Sequence, residues 1–194
     1  MALSRRDQLR RTIHVCTIFA RNVSFYRVMF SDLGKPLMDT ESQTASFWRQ
    51  ANSNFLDIAL LEWCKLFADP RGKHHWKRSV SDPVKFEADL LAHLELDEDD
   101  FAKLITKTRH YRDKFVAHLD EENLMLIPFI GKPRKAVAFL HRHLVEKEAQ
   151  PGDLQGLPST AEQFRLGMEQ CAEEAKAAVQ AARSMGLPSV QAGR

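Results

Sequence analysis

Between residues 112 and 118 the chain reads Arg112-Asp113-Lys114-Phe115-Val116-Ala117-His118. An arginine keeps its charge at any relevant pH and offers a planar fork of donors that suits a phosphate as negative charge develops on it. A histidine, with an unperturbed pKa of about 6.5, takes or gives a proton near neutrality. Asp113, directly after the arginine, can orient or tune either group. The three residues Arg112, Asp113 and His118 are the candidate catalytic set.

An arginine followed after four to six residues by a histidine is a feature of helical ribonucleases, but spacing by itself is a weak signal. With 16 arginines and 8 histidines in 194 residues, about two such pairs arise by chance. Two occur, Arg112 to His118 and Arg134 to His141. Context separates them. Arg112 is followed at once by a carboxylate and then by apolar residues on the last turns of a strongly periodic helix, whereas Arg134 to His141 sits on a less distinctive segment. At about 100° per residue, Arg112 and His118 lie about 120° apart on a regular helix, so one chain by itself does not put them on one face.

Helices must position these residues. Leu9, Ile13, Cys16, Ala20, Val23 and Phe30 recur at steps of three and four, which predicts a helix over about residues 4–30 with one apolar stripe that only Arg27 interrupts. A second helix is expected over about 44–67, apolar nearly all round and so placed at the bundle centre, with Asn52, Asn54, Asp57 and Glu62 in need of partners. Asp82 and Pro83 make an N-cap and first helical residue for a helix over 83–94. Asp97 caps the motif helix, Glu98, Asp99 and Asp100 complement its dipole, and Phe101, Leu104, Thr108, Tyr111 and Phe115 form its apolar stripe. Residues 124–129 read as a packed connector because of Pro128, and a helix follows over about 134–148. A Pro- and Gly-rich break leads to Ser159 and Glu162, a capping-box pattern opening a last helix whose apolar face runs from Phe164 through Met168, Cys171, Ala175, Ala178 and Ala182 to Met185. With no repeat and no strand alternation, the fold class is all-α, a bundle of five or six helices.

Composition agrees with one folded unit: 44% hydrophobic, 28% charged and a net charge of +2, with no low-complexity tract of the kind that marks disorder. The organisation expected is a bundle over 1–150, a linker over 151–158, a C-terminal helix over 159–186 packing on the bundle or on a partner, and a tail over 187–194. Cys16, Cys64 and Cys171 are odd in number and sit among apolar neighbours, as reduced core thiols do. No apolar run approaches the roughly 20 residues of a membrane span, and no secretory leader is evident, so a cytoplasmic address without membrane contact is expected.

The motif Arg112-Asp-Lys-Phe-Val-Ala-His118 after a helical bundle resembles the signature of the HEPN superfamily. The wider text, Asn54-Phe-Leu-Asp-Ile-Ala-Leu-Leu-Glu-Trp-Cys64, then Gly72-Lys-His-His-Trp76, then Tyr111 through Asp120, is similar to its abortive-infection branch, over about residues 6–148. The resemblance implies a HEPN-like homodimer whose motif helices share a cleft. In active members it implies a metal-independent endoribonuclease leaving a 2′,3′-cyclic phosphate, a phage-defence or toxin-like effector that needs no cofactor and has a protein antitoxin or regulator as a further partner. Carried over, His118 moves protons and Arg112 holds the scissile phosphate. The chain departs from the branch silenced by nucleotide transfer onto a tyrosine two places after the histidine, since Asp120 stands there. A nucleotidyltransferase antitoxin is therefore not implied.

Three further clusters have competing readings. Arg71, Lys73, His74, His75, Trp76, Lys77 and Arg78 interleave cations with an aromatic ring and are candidates to grip RNA phosphates and stack a base; the plainer reading is a solvated loop with Trp76 tucked onto the core. His74-His75 and His141-Arg142-His143 do not converge at metal-ligand spacing, so no metal is expected. Arg5, Arg6, Arg10 and Arg11 spread over several helix faces, the pattern of a solvated surface, with RNA or an acidic partner as the alternative. The competing functions are a non-catalytic HEPN module binding nucleotide, RNA or protein, and a purely structural helical adaptor that docks through its alanine-rich last helix.

Overall fold

The computed structural model describes residues 3–39, 44–116 and 128–186, apart from the side chains of 115, 116 and 186. Among the described residues six helices follow one another: α1 (Arg5–Met29), α2 (Ala45–Phe67), α3 (Pro83–Leu94), α4 (Glu98–Tyr111), α5 (Gly131–His143) and α6 (Ala161–Gly186). Short 3-10 turns cover Lys35–Met38 and Trp76–Arg78, and α4 and α5 run on into π turns, Arg112–Val116 and Leu144–Glu148. There is no strand among the described residues. The fold is an all-helical bundle, and no described helix is long and apolar enough to cross a membrane.

Local chemistry sets the ends. Ser4 Oγ accepts from the Asp7 amide at 3.1 Å to start α1. Asp82 Oδ1 accepts from Lys85 N at 3.0 Å ahead of Pro83, and Asp97 Oδ1 from Asp100 N at 2.7 Å, each satisfying an amide the first turn leaves unpaired. The last helix starts one residue later than its capping box suggested. Thr160 Oγ1 accepts from Gln163 N at 3.0 Å and Gln163 Oε1 returns to Ser159 N at 2.8 Å, while Glu162 turns outward to Arg165. Both boxes fit the text, and only the path of the preceding chain chooses between them.

The centre of the bundle is α1, not α2. Helices α2, α5 and α6 all pack on α1, and α4 and α3 lie outside, on α2 and α5 respectively. Its stripe Leu9, Ile13, Cys16, Phe19, Ala20 and Val23 is buried in the main core with Trp63, Cys64, Leu66 and Phe67 of α2 and with Leu140 and Leu144. Phe19 and Phe86, almost wholly enclosed, each contribute roughly 1.5–3 kcal/mol. The stripe stops at Met29, and Phe30, expected on it, is half-exposed. Helix α2 keeps one face open, with Phe47 and Ile58 exposed and Asn54 reaching only Gln50 at 2.9 Å. Of its other polar residues, Asn52 and Glu62 are buried with one oxygen each lacking a hydrogen-bond partner. Phe129, expected in a packed connector, is exposed, and residues 124–127 lie outside the described part.

Helix α6 belongs to the bundle. It packs on α1 and α5 and on the 3-10 turn at 35–38, burying Phe164 and Val179 while Ala178 and Met185 face solvent. The segment 151–158 is held against α1 as well: Arg6 donates to the Gly152 carbonyl at 3.1 Å, and Arg10 to those of Asp153 at 2.8 Å and Gln155 at 3.0 Å. Gly152 and Gly156 take φ of 87° and 79°, the left-handed region that suits glycine. Two of the N-terminal arginines thus serve the fold as carbonyl-binding clamps.

A further connection is ionic. Glu148, buried at the end of the α5 extension, accepts from Ser81 N at 2.7 Å, Ser81 Oγ at 2.9 Å, His143 Nε2 at 3.3 Å and the Arg5 guanidinium. Burial would raise its pKa, but the two Ser81 donors, Arg5 and His143 outweigh this and hold it below the ordinary value of 4.5. A depressed carboxylate adds stability that is present above pH 4.5 and is lost as pH falls through the folded value. Glu148→Gln should cost about 2 kcal/mol at pH 7 in urea unfolding, with the gap to wild type closing in acid; a constant gap down to pH 3 would show that ionisation of Glu148 is irrelevant.

Candidate functional site

Helix α4 carries the motif arginine to the surface of α2, and three of its residues, one in the first turn and two in the last, dock there. Phe101 packs edge-on against Phe67, with ring centroids 6.3 Å apart. Arg109 donates to the Ala68 carbonyl, one of the acceptors left open where α2 ends. Tyr111 Oη donates to Asp57 Oδ1 at 2.7 Å, with its ring buried among Leu56 and Leu60. Asp57 thereby gains a partner that its sequence position could not reveal. Burial pushes the Asp57 carboxyl up, the Tyr111 bond only partly opposing it, and burial followed by the Asp57 contact pushes the phenol up strongly. Tyr111 therefore stays a neutral donor.

Arg112 opens the π turn that follows. Its Nη1 lies 2.8 and 2.7 Å from the two oxygens of Asp69, and its Nε lies 2.8 Å from Asp113 Oδ1. The side chain is only 17% exposed. Burial by itself would lower its pKa, but Asp113 and Asp69 more than offset this, so the guanidinium remains charged. Arg112 and Asp113 form an ion pair, an arrangement that an orienting carboxylate and a plain surface pair have in common. Asp69 is the participant that sequence reading missed: it stands 43 residues away, at the start of what looked like a basic loop. The Asp69–Gly72 turn that presents it is tight, Gly72 N donating to Asp69 O at 2.7 Å. A Cβ at Gly72 would come within 2.9 Å of that carbonyl. Nearby Cys64 is buried and its thiol is pushed up to about 12, which excludes it as a thiolate nucleophile at neutral pH.

His118, the other half of the motif, lies outside the described residues. The structure therefore gives no distance between it and Arg112. The regular-helix angle also ceases to apply beyond Tyr111, because a π turn interrupts the α-helical register, a feature common at functional sites.

The 71–78 loop divides into a buried and an exposed half. Trp76 is 1% exposed, its ring 4.7 Å from that of Phe86, so it presents no face to a base. His75 is buried too, with Nε2 3.3 Å from the Phe67 carbonyl and Nδ1 accepting from Lys77 N. Burial first, then nearby Lys65 and Arg11, lower the pKa of half-buried His74. Lys77 pairs with Glu87 at 3.2 Å and spans the Trp76 ring at 5.0 Å, and Arg78 donates to the carbonyls of Gly72 and Arg71. Among the described residues, Arg71 and Lys73 are the exposed cations of this loop whose side chains make neither a hydrogen bond nor an ion pair. Among the described residues, no three His, Cys, Asp or Glu side chains come together as a metal-ligand set.

The second arginine–histidine pair is split apart. His141 is wholly buried, stacked on Phe164 with ring centroids 4.0 Å apart. Burial, weakly opposed by the Pro158 carbonyl, pushes its pKa down to about 4, so it is a neutral core residue. Arg134 instead lines a surface groove.

Against known protein families, curated proteins and solved structures, the chain finds no match. The class established is thus an all-helical bundle with a clamped arginine at the end of α4. Tyr111→Phe would strip Asp57 of its phenolic donor and should cost about 1.5 kcal/mol in urea unfolding, with faster amide exchange over residues 108–112; unchanged exchange there would mean the contact does not anchor the motif helix.

Proposed function

We propose that the protein is a HEPN-type endoribonuclease that acts as a homodimer, with Arg112 and His118 at a shared cleft. The observation that carries this reading is the way Arg112 is held. One surface arginine in the motif is aimed by two carboxylates, sunk to 17% exposure and followed directly by a π turn. Among the described residues its Nη2 makes no hydrogen bond and is the donor left for a phosphate oxygen.

In this reading the 2′-oxygen of a ribose attacks the adjacent phosphorus and passes its proton to a neutral His118. The bond to the 5′-oxygen breaks, and a protonated His118 from a second copy gives that oxygen its proton. The products are a 2′,3′-cyclic phosphate and a free 5′-hydroxyl. Arg112 stabilises the charge that builds on the non-bridging oxygens, a role that needs no metal ion. A phage-defence or toxin-like task, a protein antitoxin or regulator, and a cytoplasmic location belong to the same proposal. Exposed Arg71 and Lys73, on the loop that begins with Asp69, supply phosphate contacts to the flanking RNA.

One observation favours a second reading, a non-catalytic module that binds RNA, nucleotide or protein. The Arg112 charge is already met by Asp69 and Asp113, so the cluster carries one net negative charge and a phosphate must compete with Asp69. Purified wild type, Arg112→Ala and His118→Ala should be incubated with total and transfer RNA in EDTA, and the product ends identified. Cyclic-phosphate ends from wild type, with at least a hundredfold loss in both variants, are expected. Retained cleavage in His118→Ala overturns the proposal. Binding without cleavage by wild type moves the assignment to the second reading, in which Asp69→Asn should tighten RNA binding by releasing Arg112.

A further inference from the structure

Phe25, Trp48 and Phe55 carry large rings that the core leaves half-buried. They line a hollow of about 190 Å³ at the surface, where α1, α2 and α6 meet. Trp48 and Phe55 stand two turns apart on α2 and so share one face, while Phe25 and Met29 come from α1. The Phe25 and Phe55 rings have centroids 5.1 Å apart and planes tilted by 60°, so they form a wedge and not a closed stack. Phe47, itself 66% exposed, meets the Trp48 indole edge-on at 5.2 Å. On the α6 side the wall includes Ala175 and Ala178, and their small size leaves room beside the rings.

One residue of the lining is charged, and it is a carboxylate. Glu174 accepts from Gln170 Nε2 at 3.1 Å but forms no ion pair among the described residues. Other carboxylates of α6 are compensated: Glu162 and Glu169 by Arg165, and Glu173 by Lys176. Arg21, which shares the surroundings of Cys171 with Glu174, makes no ion pair with it. The rings contribute the same sign, because an aromatic face is the negative part of a quadrupole. A cation within about 6 Å of such a ring is attracted, most strongly to Trp, whereas an anion meets repulsion from rings and carboxylate alike. Size narrows the class. The hollow is smaller than the roughly 300–1,000 Å³ of sites for drug-sized molecules, so it takes a compact head group. An apolar lining also disfavours a strongly hydrated primary ammonium. A quaternary ammonium spreads its charge over methyl groups and meets both conditions.

We propose that the α1–α2–α6 hollow binds a small quaternary ammonium compound, with Phe25, Trp48 and Phe55 as the cage and Glu174 as the counter-charge at its rim. No residue of the Arg112 cluster takes part, so the proposal holds whether or not the protein cleaves RNA.

Trp63 and Trp76 are 0% and 1% exposed, which leaves Trp48 as the tryptophan that an external ligand reaches. Its fluorescence reports occupancy when the full chain is titrated with choline chloride, against sodium chloride at matched ionic strength. A saturable change is expected with choline. The uncharged isostere, in which carbon replaces the ammonium nitrogen, should bind about tenfold more weakly. Glu174→Gln, at an exposed position, should weaken choline binding about threefold. Ala178→Leu fills the hollow with another strong helix former and should abolish the response, with a urea-unfolding midpoint no lower than that of wild type showing that it folds. Arg112→Ala should titrate as wild type does. The proposal is wrong if choline gives no saturable change, if the isostere binds as tightly, if Glu174→Gln or Ala178→Leu binds choline like wild type, or if Arg112→Ala loses the response.

Discussion

A carboxylate inside a protein has to be met by donors, and the most heavily engaged one here is Glu148. Its four contacts come from the start of α1, the turn ahead of α3 and the end of α5. Leaving such a charge unpaired would cost several kcal/mol, so these three segments have little freedom to separate. Much else follows from that convergence. The 69–81 loop is laid along α1, with Gln8 bonded to the Lys73 carbonyl and Thr12 to Ser79 at 2.7 Å. The chain leaving Glu148 passes under Arg6 and Arg10. Anchoring the loop at its far end also steadies its near end, where Asp69 meets Arg112.

Several arginines of this protein differ in their electrostatic setting. Some, such as Arg5, Arg6, Arg10 and Arg109, satisfy carboxylates or carbonyls that the fold would otherwise strand. Arg112 is fully compensated yet nearly enclosed, which costs rotamer freedom and secures direction. Arg27, exposed in the last turn of α1, and half-buried Arg134 form no ion pair with a described carboxylate. These settings differ although the residues look alike in the text.

The motif helix illustrates how a site can be partly legible. Asp97 as a cap, the acidic first turn and the period of Phe101, Thr108 and Tyr111 are local properties, and they appear in the structure as expected. Neither the π turn at Arg112–Val116 nor the docking of Tyr111 on Asp57 is local. Each depends on where α2 presents its polar residues, and those residues were readable only as groups in need of partners. The Trp76 loop was legible only as a pair of alternatives, since interleaved cations and an aromatic ring suit both a nucleic-acid surface and a core-anchored turn. The hydrophobic term decides between them by burying the ring against Phe86.

By itself the sequence determined that the chain is helical, where five of its six helices begin and end to within a residue or a few, and that Arg112 stands at a helix terminus. Those features depend on hydrogen-bond caps and on a 3.6-residue period, which act over one or two turns. Tertiary structure decided that α1 rather than α2 is the central helix, that 151–158 is clamped rather than free, that Asp69 is the partner of Arg112, and that Arg27 and Arg134 share a groove. These depend on contacts between residues tens to more than a hundred positions apart. Burial and charge pairing act through space, and no local period or spacing records which distant residues will be brought together.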